Sequence, residues 1–246
     1  VPEVVKVVLA AGGAALATGL GAVPVFFLGD RAIQLTPVLL GFAAGVMAVA
    51  SVTGLLIPAG EEGSALAVLG GIACGAAFVA IARRRLNPET TFMGRSGPSA
   101  RISALVFLVL FVHSFPEGLA VGTAYASDRA GLSLFVILAI ALQNIPEGTS
   151  VAIPMAAAGF SRTRQFWAAV GTSAPQPVGA LFAFLLVQEV HGLLPFSFAL
   201  AAGSMLVLVA VEVLPRAYSS ADRIGPTLGV AAGTVLMLIL SFLLAV

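Results

Sequence analysis

Long apolar stretches separated by short polar interruptions run the length of the chain. Cutting at charges, glycines and prolines leaves eight segments, roughly Val4 to Leu28, Thr36 to Ile57, Ser64 to Ala82, Arg101 to Tyr125, Leu132 to Ala156, Gln165 to Val187, Leu193 to Leu214 and Ile224 to Val246. Each is close to the about 17 to 25 residues that a helix needs to cross a bilayer. Backbone polar groups in lipid must be bonded within the protein, and runs of this length do so as helices. The one long polar stretch opens Arg83-Arg84-Arg85-Leu86-Asn87-Pro88-Glu89 and reaches past Pro98. It reads as an Arg-rich loop over residues 83–100, not as a domain linker, so residues 1–246 are expected to form a single transmembrane domain.

Composition agrees with that pattern: 59% of residues are hydrophobic and 9% charged, against about 25% charged in soluble proteins, and mean hydropathy is +1.08. The expected class is an all-α polytopic membrane protein of eight helices. The net charge of +1 and the absence of a basic tail give no reason to expect a nucleic-acid partner. The single cysteine, Cys74, excludes an intrachain disulfide and reads as a small packed residue. The opening Val-Pro-Glu has no basic region of the kind that starts a cleavable signal peptide.

Ten of the twelve basic residues fall on one side if the chain starts outside: Arg31, the Arg83–Arg85 run, Arg95, Arg101, Arg162, Arg164, Arg216 and Arg223, against Lys6 and Arg129. Positive charge gathers on the cytoplasmic side, so both termini are expected to be external and the protein to sit in a cell (inner or plasma) membrane. Trp167, Tyr218 and Tyr125 fall near helix ends, where aromatic side chains anchor at the interface.

A short pattern recurs. Ala43-Ala44-Gly45-Val46-Met47 in the second segment returns as Ala201-Ala202-Gly203-Ser204-Met205 in the seventh, each followed by a proline, Pro58 and Pro215. The two segments run in opposite directions, so helices 1–3 and 6–8 are expected to be inverted repeats around a central pair, 4 and 5. Small residues at four-residue spacing, Gly71 and Gly75 and then Gly225, Gly229 and Gly233, predict close helix contacts, within the subunit or in a homodimer.

The central pair carries the chemistry: His113-Ser114-Phe115-Pro116-Glu117-Gly118 and Gln143-Asn144-Ile145-Pro146-Glu147-Gly148. A carboxylate at the bilayer centre costs at least ~2.5 kcal/mol unless it is compensated. His113 and Glu117 are four apart, as are Gln143 and Glu147, so each pair shares a helix face. His113 offers a neutral imidazole nitrogen, a donor suited to borderline divalent ions; Gln143 offers an amide oxygen. Pro116 lacks an amide hydrogen and predicts a bend that frees a carbonyl. Gln176, between Pro175 and Pro177, is expected on irregular backbone too.

The two stretches, with their order and spacing, resemble the ZIP (Zrt/Irt-like) divalent-metal transporters, particularly the prokaryotic branch, whose fourth and fifth helices carry an HNxPEG-like and a QNxPEG- or xDxPEG-like motif. The resemblance covers nearly the whole chain. It implies metal ligands at His113, Glu117, Gln143, Glu147, Met47 and Gln176, with Ser114, Asn144 and Glu212 along the transport pathway; by itself, a methionine in an apolar helix is core filler. It also implies an elevator-like carrier in which helices one, four, five and six slide against two, three, seven and eight. Ser114, Asn144 and Gln176 stand where relatives with two adjacent metal positions have Asn, Asp and Glu. One divalent ion, balanced by Glu117 and Glu147, is therefore expected.

The cargo is expected to be Zn(II), with Cd(II), Fe(II) and Mn(II) as alternatives, and no cofactor is implied. A channel would use the same residues. An intramembrane metal-dependent hydrolase would need a second histidine motif that is not present, so an enzyme is not expected. Glu61, Glu62 and Asp30 at helix ends, and Glu189 and His191 between the sixth and seventh segments, read as solvated loop residues.

Overall fold

The computed structural model describes residues 2–86, 91–127, 129 and 131–246, the Asp30 side chain apart. Among these, eight helices are long and apolar enough to cross a membrane: α1 (Glu3–Leu28), α2 (Arg31–Glu62), α3 (Ala65–Arg85), α4 (Pro98–Ala126), α5 (Leu132–Ala157), α6 (Arg162–Glu189), α7 (His191–Ala217) and α8 (Ile224–Leu244). The chain is a multi-pass membrane protein. Helix starts follow local chemistry: the Ser64 hydroxyl accepts from the Ala67 amide and Ser161 from Arg164, the usual N-cap bond.

Two expectations about the Arg-rich loop change. Arg83, Arg84 and Arg85 are the last turn of α3, where cations favour the negative end of the helix dipole. Beyond them β1 (Thr91–Phe92) pairs antiparallel with β2 (Arg95–Ser96) around Met93-Gly94. Phe92 holds this hairpin down, with its ring 5.6 Å from that of Phe107 and 6.1 Å from that of Phe160. Asn87, Pro88 and Glu89 lie outside the described residues.

Backbone irregularity also falls elsewhere than expected. The helical ladder continues through Pro116 and Pro146. Each proline removes one bond only, and the following glycine lets a neighbouring helix press against the same turn: a Cβ on Gly118 would meet the Gln176 carbonyl, and one on Gly148 that of Thr18. The breaks are at Gly21-Ala22 in α1, at Ser173-Ala174 in α6 just before Pro175, and in five-residue π turns at Val52–Leu56 of α2 and Val209–Val213 of α7. Pro58 and Pro215 follow those turns. A proline ring collides with the carbonyl four residues back, and a widened turn relieves the collision.

Each π turn ends two residues before its proline and falls within one residue of the same distance from its copy of the Ala-Ala-Gly-x-Met pattern, and the packing repeats as well. α2 lies along α8 as α7 lies along α3, and α4 lies along α6 as α5 lies along α1. Exchanging 1 with 6, 2 with 7, 3 with 8 and 4 with 5 reproduces these pairings, as an inverted repeat requires. The glycine stripes are internal: Gly71 and Gly75 press on α7, and Gly229 and Gly233 on α2. Because those glycines take the packing face of α3, Cys74 is turned outward and exposed, not packed.

Candidate metal site

Glu117 and Glu147 are buried at the centre of the bundle, 1% and 3% exposed, with His113 at 4%. The Pro-Glu-Gly turns put them there: glycine after each glutamate draws α6 onto α4 and α1 onto α5, closing the site to lipid.

The two carboxylates have different partners. Both oxygens of Glu117 are held by amides: Gln143 Nε2 donates to Oε1 and Gln176 Nε2 to Oε2, each at 2.6 Å. Asn144 Nδ2 donates to the Ala14 carbonyl at 2.7 Å, and Asn144 and Gln176 exchange two long bonds of 3.4 Å. Glu147 Oε1, His113 Nδ1 and Gln143 Oε1 are buried without any hydrogen-bond partner. They lie on consecutive turns of two packed helices. Buried polar atoms are nearly always bonded; among the described residues one further buried side-chain atom, Gln165 Oε1, is likewise without a partner.

The expected residues divide accordingly. Gln143 meets Glu117 directly, and His113 and Glu147 each lie one turn along the same helix face as one of that pair. Gln176 reaches the cluster through its amide nitrogen, as a donor to Glu117, and its oxygen faces Asn144. The Ser114 hydroxyl is turned onto its own helix, donating to the Leu110 carbonyl at 3.0 Å. Met47 and Met205 are both buried in the main core, and Met205 also lines the void of about 10 Å³ beside His113 and Glu117. Met205 was absent from the expected ligand set although the repeat pairs it with Met47. Among the described residues no three His, Cys, Asp or Glu side chains form a ready-made cage.

Glu212 sits in the π turn of α7, its carboxylate spanned by two arginines. Arg216 Nη2 is 2.6 Å from Oε1 and Arg83 Nη2 is 3.3 Å from Oε2. Arg83 Nη1 also donates to the Val211 carbonyl at 3.1 Å, the one Pro215 cannot bond. A cavity of about 550 Å³ on the Arg-rich side includes Leu40, Val106, Ser150, Pro154 and Arg216 in its lining. Val106 is two turns before His113, and Ser150 and Pro154 are one and two turns after Glu147, so the cavity runs along the faces that carry the site. On the opposite side a Cβ at Gly54 would lie 2.9 Å from the Phe135 ring, which is fully buried. Glu61 and Glu62, expected as solvated charges, both pair with Arg129. Glu189 and His191 are exposed; the Asp30 side chain lies outside the described residues.

Comparison with known proteins points the same way. The family model described as "ZIP Zinc transporter" matches residues 93–241. The chain is 35% identical over 239 residues to the zinc transporter GufA of Myxococcus xanthus, covering 92% of this chain and 94% of that one. It is 32% identical over 245 residues to the zinc transporter ZIPB of Bordetella bronchiseptica, covering 93% and 79%. A protein of Arabidopsis thaliana is 39% identical over 212 residues, 85% of this chain; the match spans only 34% of that protein's length.

Proposed function

Because the chain belongs to the ZIP Zinc transporter family, we propose that it carries zinc into the cytoplasm through one site between α4 and α5, with its Arg-rich side facing inward. The family is one of transporters, which removes the hydrolase alternative. What carries the reading is the trio His113 Nδ1, Gln143 Oε1 and Glu147 Oε1, buried and bonded to nothing. Each such atom left unsatisfied costs about 1–3 kcal/mol, and a divalent ion would satisfy all three. Imidazole, carboxylate and the neighbouring Met205 thioether make a mixed donor set of the kind zinc accepts.

The amides around Glu117 favour a single ion. Gln143 and Gln176 aim N–H groups at both of its oxygens, and Asn144 backs Gln176 with two bonds of 3.4 Å. Amide dipoles thus supply the compensation that a second cation would otherwise supply. When the site empties, Glu117 keeps these bonds and only Glu147 is left wholly to the next ion.

The pattern of polar ties supports a carrier over a channel. Asn144 with Ala14, Thr149 with Gly21, Thr18 with Ser173 and Arg162 with Phe26 knit α1, α5 and α6 together, and Gln143 and Gln176 tie α4 to them through Glu117. Arg83 with Val211 and Ser204 with Gly75 do the same for α3 and α7, and close glycine contacts join α2 to α8. Two bodies packed this way can slide past each other with the site riding on the first.

Zinc flux into proteoliposomes tests the site. Glu147→Ala and His113→Ala are each expected to lower the initial rate at least about tenfold, a loss of one good ligand contact or ~1.4 kcal/mol. Normal flux in both variants would refute it. Elemental analysis of the purified chain is expected to give one zinc per chain; two would refute the single-ion reading.

A further inference from the structure

The side-chain bonds that join the two bodies are few, and they share a location. Among the described residues, the long-range hydrogen bonds and ion pairs between them are Thr123 with Ser197, Oγ to Oγ at 2.6 Å, and Arg129 with Glu61 and Glu62 at 2.8 and 2.6 Å. Thr123 is in the last turn of α4, Arg129 in the connection to α5, Ser197 near the start of α7, and Glu61 and Glu62 at the end of α2. All lie on the side opposite the Arg-rich one. On the Arg-rich side the large cavity opens between the same two bodies, and the ion pairs there, Arg83 and Arg216 with Glu212, stay within one body.

We propose that Thr123–Ser197 and Arg129–Glu61/Glu62 form an external latch that holds the site open toward the cytoplasm and parts once in every transport cycle. This rests on the carrier reading above. The geometry demands the parting: α4 cannot travel along α7 by even part of a turn and keep a 2.6 Å contact between two short side chains. Arg129 is equally committed, because its partners are on α2 while it rides between α4 and α5. The latch is a weak one. Arg129 is about a third exposed and Glu61 more than half, and exposed ion pairs are worth little individually. That suits a contact broken at every turnover. It biases the two arrangements by a modest factor, and the apparent affinity for external ion falls by the fraction of carriers facing outward.

The test uses the full chain in proteoliposomes, with Cys74→Ser so that the native exposed thiol takes no part. Thr123→Cys with Ser197→Cys puts two sulfurs where the oxygens touch, close enough for a disulfide of about 2.05 Å. Oxidation is expected to abolish zinc flux and reductant to restore it, while the oxidised protein still binds one zinc in detergent through its cytoplasm-open site. Arg129→Gln is expected to lower the external half-saturating zinc concentration about three- to tenfold, and Arg129→Lys to restore it. Undiminished flux through the oxidised pair, failure of the disulfide to form, or an unchanged half-saturation in Arg129→Gln would each overturn the latch. The metal site is judged separately: it stands as long as Glu147→Ala is inactive.

Discussion

In α2 the π turn at Val52–Leu56 is covered by the Phe135 ring against Gly54, whereas in α7 the matching turn at Val209–Val213 carries Glu212 between Arg83 and Arg216. The backbone device is common to both: five widened residues, then a proline. The side chains differ in kind. An aromatic ring on a glycine makes a dry seal. A carboxylate shared by two arginines, lining with Arg83 a cavity of about 190 Å³ while Arg216 borders the 550 Å³ one, makes a polar boundary. With the backbone device common to the two copies, the contrast between a dry side and an open one comes from a few positions where they differ.

Removing the dry seal should have the largest effect. Phe135→Ala takes away a fully buried ring, and a phenylalanine truncated in a core costs about 3–5 kcal/mol. A lower melting temperature in detergent and zinc flux that no longer saturates with concentration are both expected. Saturable flux at an unaltered melting temperature would mean that the outer side is closed by something other than this ring.

The next largest effect should be equal in the two halves. A Cβ at Gly45 would strike the Val230 carbonyl of α8, and one at Gly203 the Ile72 carbonyl of α3. The obstacle in each case is backbone, so the helices must move apart, at about 1–3 kcal/mol or somewhat more. Gly45→Ala and Gly203→Ala are therefore expected to lower the melting temperature by similar amounts. A large effect in one and none in the other would show that the repeat does not extend to the energetics of packing.

The sequence made this frame visible for a simple reason: membrane helices are long, apolar and bounded by charge, and Pro-Glu-Gly in lipid has few explanations. Pairs four apart on one helix, His113 with Glu117 and Gln143 with Glu147, were readable from periodicity. Relations between helices were not. Residue identity gives no sign that Gln176 would turn its nitrogen, not its oxygen, toward Glu117, since an amide presents either end. Arg83 looked like loop charge because nothing in an Arg-Arg-Arg run says which member meets a carbonyl released 128 residues later. Met205, which lines the void beside His113, stands in the repeat where Met47 stands. The π turns were half legible, as the prolines mark their ends while the widening depends on how the turn packs.

The smallest expected effect separates Arg83 from its neighbours. Pro215 leaves the Val211 carbonyl without its usual donor, and Arg83 provides one at 3.1 Å while also reaching Glu212 at 3.3 Å. Arg216 sits closer to Glu212, at 2.6 Å, so the carboxylate stays paired when Arg83 is lost. What Arg83→Gln forfeits is one bond to a carbonyl and one long ion pair, both screened by partial exposure of the arginine, for about 1 kcal/mol. Thermal melts should show a small, reproducible drop for Arg83→Gln and none for Arg84→Gln or Arg85→Gln. Zinc flux should fall no more than about fivefold, the same ~1 kcal/mol read as a rate. If all three substitutions behave alike, the run acts only as bulk positive charge, and the π turn of α7 holds its shape without help, as that of α2 does against Phe135.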